Sequence, residues 1–368
     1  MPKVIFPFVN TGVGGSHISA TILAEELVKR PGYEVLVVAP SGALVLDICR
    51  ARRIPSSPVS LPSFNRAYYL EFYKAFLHFK EVRSYCMQRD TIIHCNDLGA
   101  LATWGMLGKL FGAKVIYHDR QISRRMFPRR IFTAIADHII SISKFCEQKI
   151  PYVPDRKKTT ITNPFEAKAC EDKDVIKYSL LDELGVAQDT KLVGFSGNFW
   201  YRKRPEFFLD MAAQLRLIRN DVAFVMFGRG GDYTEEEVSK MVSDKGLSNV
   251  CLVAGFRQPG IDHIAALDLL CATAIDEPFG RTPLEALFNS TPYVVTDDAG
   301  HGEILRSWGG GEGVDVGASP EEFAKVVDKV LLCPGNFTKS LPQINDVAIE
   351  LSVQRHADNV IEVYNCKS

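Results

Sequence analysis

The stretch from Asp268 to Leu305, DLLCATAIDEPFGRTPLEALFNSTPYVVTDDAGHGEIL, contains a complete passage from strand to loop to helix to strand. DLLCAT is apolar over the length of a buried strand, and PYVVT at 292–296 repeats the pattern after a helical segment. Between them Pro278-Phe279-Gly280 turns the chain. Pro283 fits the first turn of a helix, where its missing N–H has no partner to lose, and Thr282 or a residue near it is the expected cap. A strand that feeds a helix that feeds another strand is a crossover, and crossovers join parallel neighbours. The segment therefore predicts an α/β fold with a parallel sheet buried on both faces.

The alternation continues in both directions. KVIFPFV, EVLVVAP, TIIHC, KVIYH, HIISIS and TTITN are strand candidates in the first half, and KLVGFSG, AFVMFG and VCLVAG in the second. Helical patterns separate them at Ser19 to Arg30, Phe64 to Gln88, Gly99 to Phe111 and Ser143 to Lys149. We expect two doubly wound domains, residues 1–165 and 191–350. The charged segment 166–190 reads as a linker with one short helix, and GGGEG at 309–313 as a plain turn. Val353, Ala357, Val360, Ile361 and Tyr364 fall near helical spacing, so 351–368 reads as a closing helix.

A chain of 368 residues with 46% hydrophobic and 24% charged residues is long enough for two cores, which excludes disordered and disulfide-stapled classes. The longest apolar runs are far short of the ~20 residues needed to span a bilayer. Pro7, Asn10 and a glycine cluster interrupt the order of a secretory signal, and nine cysteines without a CxxC pair suit a reducing compartment, so a cytoplasmic location is expected. Net charge is −1, but residues 1–150 hold 20 Lys+Arg against 11 Asp+Glu, and the remainder 23 against 33. The densest basic stretch, Lys114, Arg120, Arg124, Arg125, Arg129 and Arg130, faces only Asp119. It reads either as a solvated face or as a contact for anionic lipid or an anionic acceptor. Nucleic acid is disfavoured by the absence of a basic footprint or binding motif.

Three places can carry chemistry. The first strand runs into TGVGGSHISATILAEEL, a glycine-rich loop opening a helix, which exposes N–H groups suited to phosphate. Gly12 and Gly14 begin a dinucleotide fingerprint, but His17 stands at the third glycine, which argues against hydride transfer. In NFWYRKRPEFF, Arg202, Lys203 and Arg204 precede a helix start, where basic residues oppose the helix dipole unless an anion binds or they only solubilise the surface. Glu277 and Glu285, on a loop and a helix with seven residues between them, can both face the crevice at the strand ends. The acid pairs Asp297-Asp298 and Glu171-Asp172 read as turn or surface.

Taken together, LAEEL, Tyr117-His118-Asp119, ADHIISIS, ITNPF, GNFWYRKRPEFFLDMA, EPFGRTPLEAL and TPYVVTDDAGHGEIL resemble the retaining glycosyltransferases of the GT-B fold, glycosyltransferase family four. The resemblance implies two Rossmann-like domains facing a central cleft, the first for the acceptor and the second for a nucleotide sugar, with the C-terminal helix crossing back to the first. It implies donor contacts by Gly14, Gly15, Asn198, Arg202, Lys203, Phe279, Gly280, Arg281, Thr282 and Glu285, the last on the ribose. It gives catalytic positions to His118, near the anomeric centre and often acting through its carbonyl, to Lys203 on the leaving phosphates, and to Glu277 beside the sugar. The chain departs from the family at Gly197-Asn198, where an arginine usually precedes the lysine; Arg202, Arg204 or Arg281 is the expected substitute. Asn289-Ser290 stands where glycine is common.

The reaction so implied moves a sugar from a nucleotide diphosphate to an acceptor hydroxyl with retention, without a resident cofactor or metal. A same-face displacement is favoured, since no carboxylate is identified as a nucleophile. Asn198 keeps open a catalytically weak sugar-nucleotide-binding subunit, and a sugar-nucleotide epimerase shares the architecture. For the acceptor, Tyr69, Phe72, Tyr73, Phe76, Phe79 and Lys80 recur at helical spacing, which ordinary core packing explains. Trp104, Met106 and Phe127 are expected to add apolar contact to an inner membrane face if exposed.

Overall fold

Runs such as KVIFP and TIIHC are buried at every position, because helices cover both faces of a parallel sheet. The computed structural model describes residues 1–59, 79–86, 90–120, 126–166, 170–257 and 260–366. The chain divides into two compact units, Met1–Glu166 with Ile349–Ser368, and Ala167–Ala348.

In the first unit the strands are β1 (Lys3–Pro7), β2 (Glu34–Pro40), β3 (Ser56–Val59), β4 (Thr91–Cys95), β5 (Lys114–Asp119), β6 (His138–Ser141) and β7 (Lys158–Thr160). They lie in the order β3-β2-β1-β4-β5-β6-β7, with each neighbouring pair parallel. The period-two alternation of a strand divides the core. Val4, Phe6, Ile92, Ile116 and Ile140 pack with Leu23 and Leu27 of the helix Gly15–Lys29, whereas Ile5, Ile93, Val115 and Ile139 pack with Trp104 and Leu107. The closing helix Val353–Asn365 adds Ala357, Val360, Val363 and Tyr364 to the first layer, so the chain's end completes the unit in which it began. The short strand β3 was not expected, since SSPV carries a serine pair and a proline. Residues 60–78, with Tyr69, Phe72, Tyr73 and Phe76, lie outside the described residues; Phe79 packs edge-on against Phe111.

The second unit holds β8 (Lys191–Ser196), β9 (Val222–Phe227), β10 (Cys251–Gly255), β11 (Leu269–Ala272), β12 (Tyr293–Thr296) and β13 (Gly311–Val314), in the order β10-β9-β8-β11-β12-β13. Strand order reverses between β8 and β11, the place where doubly wound sheets open a crevice at the carboxyl ends. Phe208, Met211 and Leu215 of the helix Pro205–Ile218 interlock with Phe323, Val327 and Val330 of Pro320–Leu332 over one face. The segment read as a plain turn is in part β13: Gly311 and Gly313 pair with Tyr293 and Val295, and a side chain at Gly311 would enter the Tyr293 ring. The expected linker carries the helix Lys173–Leu184, ended by Gly185 at φ +70°.

Candidate active site

Two loops, one after β8 and one after β11, build the crevice of the second unit. After β8 the chain turns at Gly197, φ +156°, over which the Lys203 methylenes pack, and a short turn at Tyr201–Lys203 carries both cations inward. That turn is tied to the opposite strand by Ile275 N–H donating to the Arg202 carbonyl at 2.8 Å, and by Thr273 Oγ1 donating to the Lys203 carbonyl at 2.8 Å. After β11, Glu277 is buried and meets Lys203 Nζ at 2.9 Å and Arg202 Nη1. Burial pushes its carboxyl up, but Lys203 and Arg202 more than reverse this and hold it at about 2. Glu277 is therefore ionised throughout the neutral range and cannot act as a proton donor there.

Glu285 lies on the helix Arg281–Phe288, which starts from Gly280. Thr282 is therefore inside the helix and not its cap. Gly280 has φ +93°, and an added Cβ would lie 2.5 Å from His301 Cδ2, so only glycine fits. No side chain caps this end, which is the positive end of the helix dipole. Burial raises the Glu285 carboxyl, opposed by Arg281 at 3.7 Å and by Lys203, so both glutamates feel the same lysine. Among the expected substitutes for the missing arginine, Arg202 converges with Lys203. Arg204 instead stacks on the Phe207 ring at 3.7 Å, and Arg281 pairs within its own helix. Asn198 lies half-buried in the loop after β8, and Phe279 is buried ahead of Gly280.

His301 was not singled out from the sequence. It is 1% exposed, neither ring nitrogen has a partner among the described residues, and burial drives it down to about 4 despite the nearby Glu277. A neutral imidazole with an unused N–H beside Gly280 and Glu277 is a donor waiting for an acceptor. The legible signal was a histidine between Gly300 and Gly302, where Gly300 N–H donates to the Glu277 carbonyl at 2.8 Å. Asp297 pairs with Arg306 at 2.5 Å, and Asp298 accepts from Asp276 N–H at 2.7 Å, so both acids are engaged structurally.

Gly14, Gly15 and His118 belong to the first unit. Gly14 precedes the helix Gly15–Lys29 and donates its N–H to His17 Nδ1 at 3.2 Å. Nothing lies within 4 Å of a Cβ placed on Gly15, so only an incoming group would require glycine there. The His118 side chain, on β5, is fully enclosed between His94 and Arg120, each at 3.1 Å from Nδ1. Its imidazole is therefore enclosed within the first unit.

Three members of the basic stretch are engaged within the fold. Lys114 Nζ donates to the carbonyls of Val363 at 3.1 Å and Tyr364 at 3.0 Å, Arg129 is buried against Asp119, and Arg120 is buried. Arg130 is exposed over the Tyr152 ring, while Arg124 and Arg125 lie outside the described residues. Trp104 is fully buried in the core, Met106 half-buried, and the Phe127 side chain is not described. No described helix is long and apolar enough to cross a membrane.

Comparison with known proteins agrees with this architecture. Residues 179–345, all within the second unit, match the family glycosyl transferases group 1. The lipopolysaccharide core biosynthesis mannosyltransferase LpsB of Rhizobium meliloti is 31% identical over 148 residues, 39% of this chain and 42% of that protein. The uncharacterized glycosyltransferase MJ1607 of Methanocaldococcus jannaschii is 27% identical over 52% of this chain and 50% of its own. The matched part thus spans half or less of these relatives. Among solved structures, Anabaena Alr3699/HepE in complex with UDP and glucose superposes with a TM-score of 0.81 at 19% identity over 99% of both chains, and shares the fold. The lipopolysaccharide outer core galactosyltransferase WaaB does so at 0.71 and 16% over 98% of both.

Proposed function

Residues 179–345 of the second unit match the glycosyl transferases group 1 family, and from that premise we propose that this protein is a retaining glycosyltransferase. It moves a sugar from a nucleotide diphosphate to an acceptor hydroxyl in the assembly of a polysaccharide, lipopolysaccharide or glycolipid. The observation that carries the reading is the convergence of Lys203, Arg202 and Glu277 at the point where strand order reverses. Two cations against one carboxylate leave an excess positive charge beside an uncapped helix start. That is what a diphosphate needs as the bond to the sugar lengthens and negative charge grows on the leaving group. In this reading Lys203 and Arg202 hold the phosphates, with the N–H groups after Gly280, and Glu285 accepts from the ribose hydroxyls. Glu277, ionised and anchored, accepts from the sugar hydroxyls. Neither a resident metal nor a cofactor enters the scheme.

The relatives named for lipopolysaccharide core biosynthesis support an acceptor of that kind. The test is turnover with a panel of nucleotide sugars and the anomeric configuration of the product by NMR. Retention supports the reading, inversion removes it, and nucleotide binding without turnover would favour a binding subunit. A visit to an anionic bilayer from the cytoplasmic side has a narrower basis than the sequence implied. Leu110 and Ile131 are exposed, and a groove lined by Met106, Leu107, Leu110, Ala134 and Ile135 lies near them with Lys109.

A further inference from the structure

Arg120 directly follows β5 and is 5% exposed. Its Nε donates to Asn96 Oδ1 at 3.3 Å, Nη1 to Asn163 Oδ1, and Nη2 to His118 Nδ1 at 3.1 Å. Every partner is neutral. A guanidinium has only donors, so His118 Nδ1 accepts and the His118 proton sits on Nε2; His94 Nε2 then donates to the same atom, and Tyr364 Oη donates to His94 Nδ1 at 2.7 Å. Burial pushes His94, His118 and His356 down and Tyr364 up, so this cluster holds no negative charge. The acids at the ends of β4 and β5 are engaged with other groups: Asp119 with Arg129 and Tyr117, Asp97 with Ala100 N–H. Burial brings Arg120 down to about 9, still cationic at neutral pH. A buried cation without an opposite charge is costly to maintain.

The placement is that of a binding site. Asn96 directly follows β4, Arg120 follows β5, and Asn163 lies just beyond β7, so three strand ends converge at the carboxyl edge of the sheet, where open α/β sheets take ligands. Arg120 and Asn163 keep 5% and 8% exposure, whereas His94 and His118 keep none, so the cluster opens at its Arg120 end. Among the described residues three of the five guanidinium N–H groups are used, and the Asn163 amide, its oxygen turned to Arg120, makes no donated hydrogen bond there.

We propose that Arg120 and Asn163, with Asn96 behind them, bind one oxyanion, a phosphate or carboxylate group carried by the acceptor. The oxyanion site stands on this geometry alone; its assignment to the acceptor rests on the glycosyltransferase reading. The test uses the full chain with Arg202→Ala and Lys203→Ala, which removes the cations of the other unit. Its readout is the thermal midpoint at constant ionic strength in chloride, inorganic phosphate and acetate. Phosphate or acetate should raise the midpoint by several degrees, the more effective anion naming the group, and Arg120→Gln should abolish the response. Asn163→Asp, which brings a carboxylate onto the guanidinium, should raise the midpoint in chloride and remove the response. An undiminished response in Arg120→Gln, or in Asn163→Asp, overturns the site. Transfer is measured separately in the chain that keeps Arg202 and Lys203: transfer to uncharged acceptors as fast as to anionic ones overturns the acceptor assignment alone. No transfer to any acceptor in that chain, beside an intact anion response, leaves the oxyanion site and removes the glycosyltransferase reading.

Discussion

Glu277 and Glu285 feel the same lysine and are driven in opposite directions. Glu277 has two cations against it, whereas Glu285 has a distant Arg281 and a shared Lys203, and burial wins. In the free protein Glu277 occupies the cations that the proposed diphosphate needs. Glu277→Gln should therefore bind nucleoside diphosphate as well as or better than wild type, while turnover with the intact sugar donor falls by about 100-fold or more, the scale of losing one charged contact made at the reacting centre. Calorimetry beside kinetics separates the two effects, and a parallel loss of nucleotide affinity would place Glu277 on the phosphates' side of the site. Glu285→Gln should behave inversely. A carboxyl whose folded value is raised takes up protons on folding, so it lowers stability as pH rises through that value; the amide removes this penalty. We expect a higher thermal midpoint at pH 8, with nucleotide affinity reduced by a factor of about 10 to 100, the loss of a charge-assisted hydrogen bond of about 1.5 to 3 kcal/mol. Unchanged affinity would remove Glu285 from the donor site.

At the scale of elements, the helix Arg281–Phe288 is controlled from both ends by backbone with positive φ. At its start Gly280 is irreplaceable, since a methyl group meets the His301 ring. At its end Ser290 has φ +54°, a conformation in which a side chain costs about 1 to 2 kcal/mol. The departure from glycine noted in the sequence is thus a strained position. Ser290→Gly should raise stability by about 1 kcal/mol with unchanged kinetics, measured by urea unfolding. His301 couples this helix to the next one, Ala299–Trp308, and is neutral when folded. Its folded value of about 4 lies below the ordinary 6.5, so its stabilising effect is complete above pH 6.5 and is lost as pH falls toward 4. Glu277, held at about 2 against an ordinary 4.5, loses its own as pH falls from 4.5 toward 2. His301→Gln should therefore flatten the decline in stability between pH 6.5 and 4 and leave the decline below 4 intact. An unchanged slope in the upper window would show that another group titrates there.

For the whole molecule, the chain leaves the first unit at Glu166 and returns to it at Ile349. The last helix contributes Ala357, Val360, Val363 and Tyr364 to the first core, and its terminal carbonyls hold Lys114. Deleting residues 349–368 should lower the midpoint of the first unit steeply and leave that of the second nearly unchanged, resolved as two transitions by calorimetry. A single transition displaced as a whole would show that the two units unfold together. Sedimentation with anionic and neutral vesicles checks the membrane reading: binding at low salt should weaken in Leu110→Ser with Ile131→Ser, and absence of binding to either vesicle type favours a soluble acceptor.

The sequence by itself determined the alternation of strands and helices, because continuous β-branched runs and 3.6-residue patterns are local properties that a parallel sheet requires at every step. It also marked Glu277, Gly280 and Glu285, because spacing within one loop and one helix fixes which residues share a strand end, and it marked Lys203 as a cation ahead of a helix start. Gly311 and Gly313 misled it, since the partner strand that makes them part of a sheet, β12, is set beside them only by the fold. Only the tertiary structure chose Arg202 over Arg204 and Arg281, since that choice depends on where a loop after β8 meets a loop after β11, 75 residues apart. Only it turned a basic stretch from an expected surface into Lys114 under the last helix, Arg129 on Asp119 and Arg120 among uncharged neighbours. Charge is written in the chain, but whether a charge is solvated, paired or left waiting depends on what the fold brings beside it.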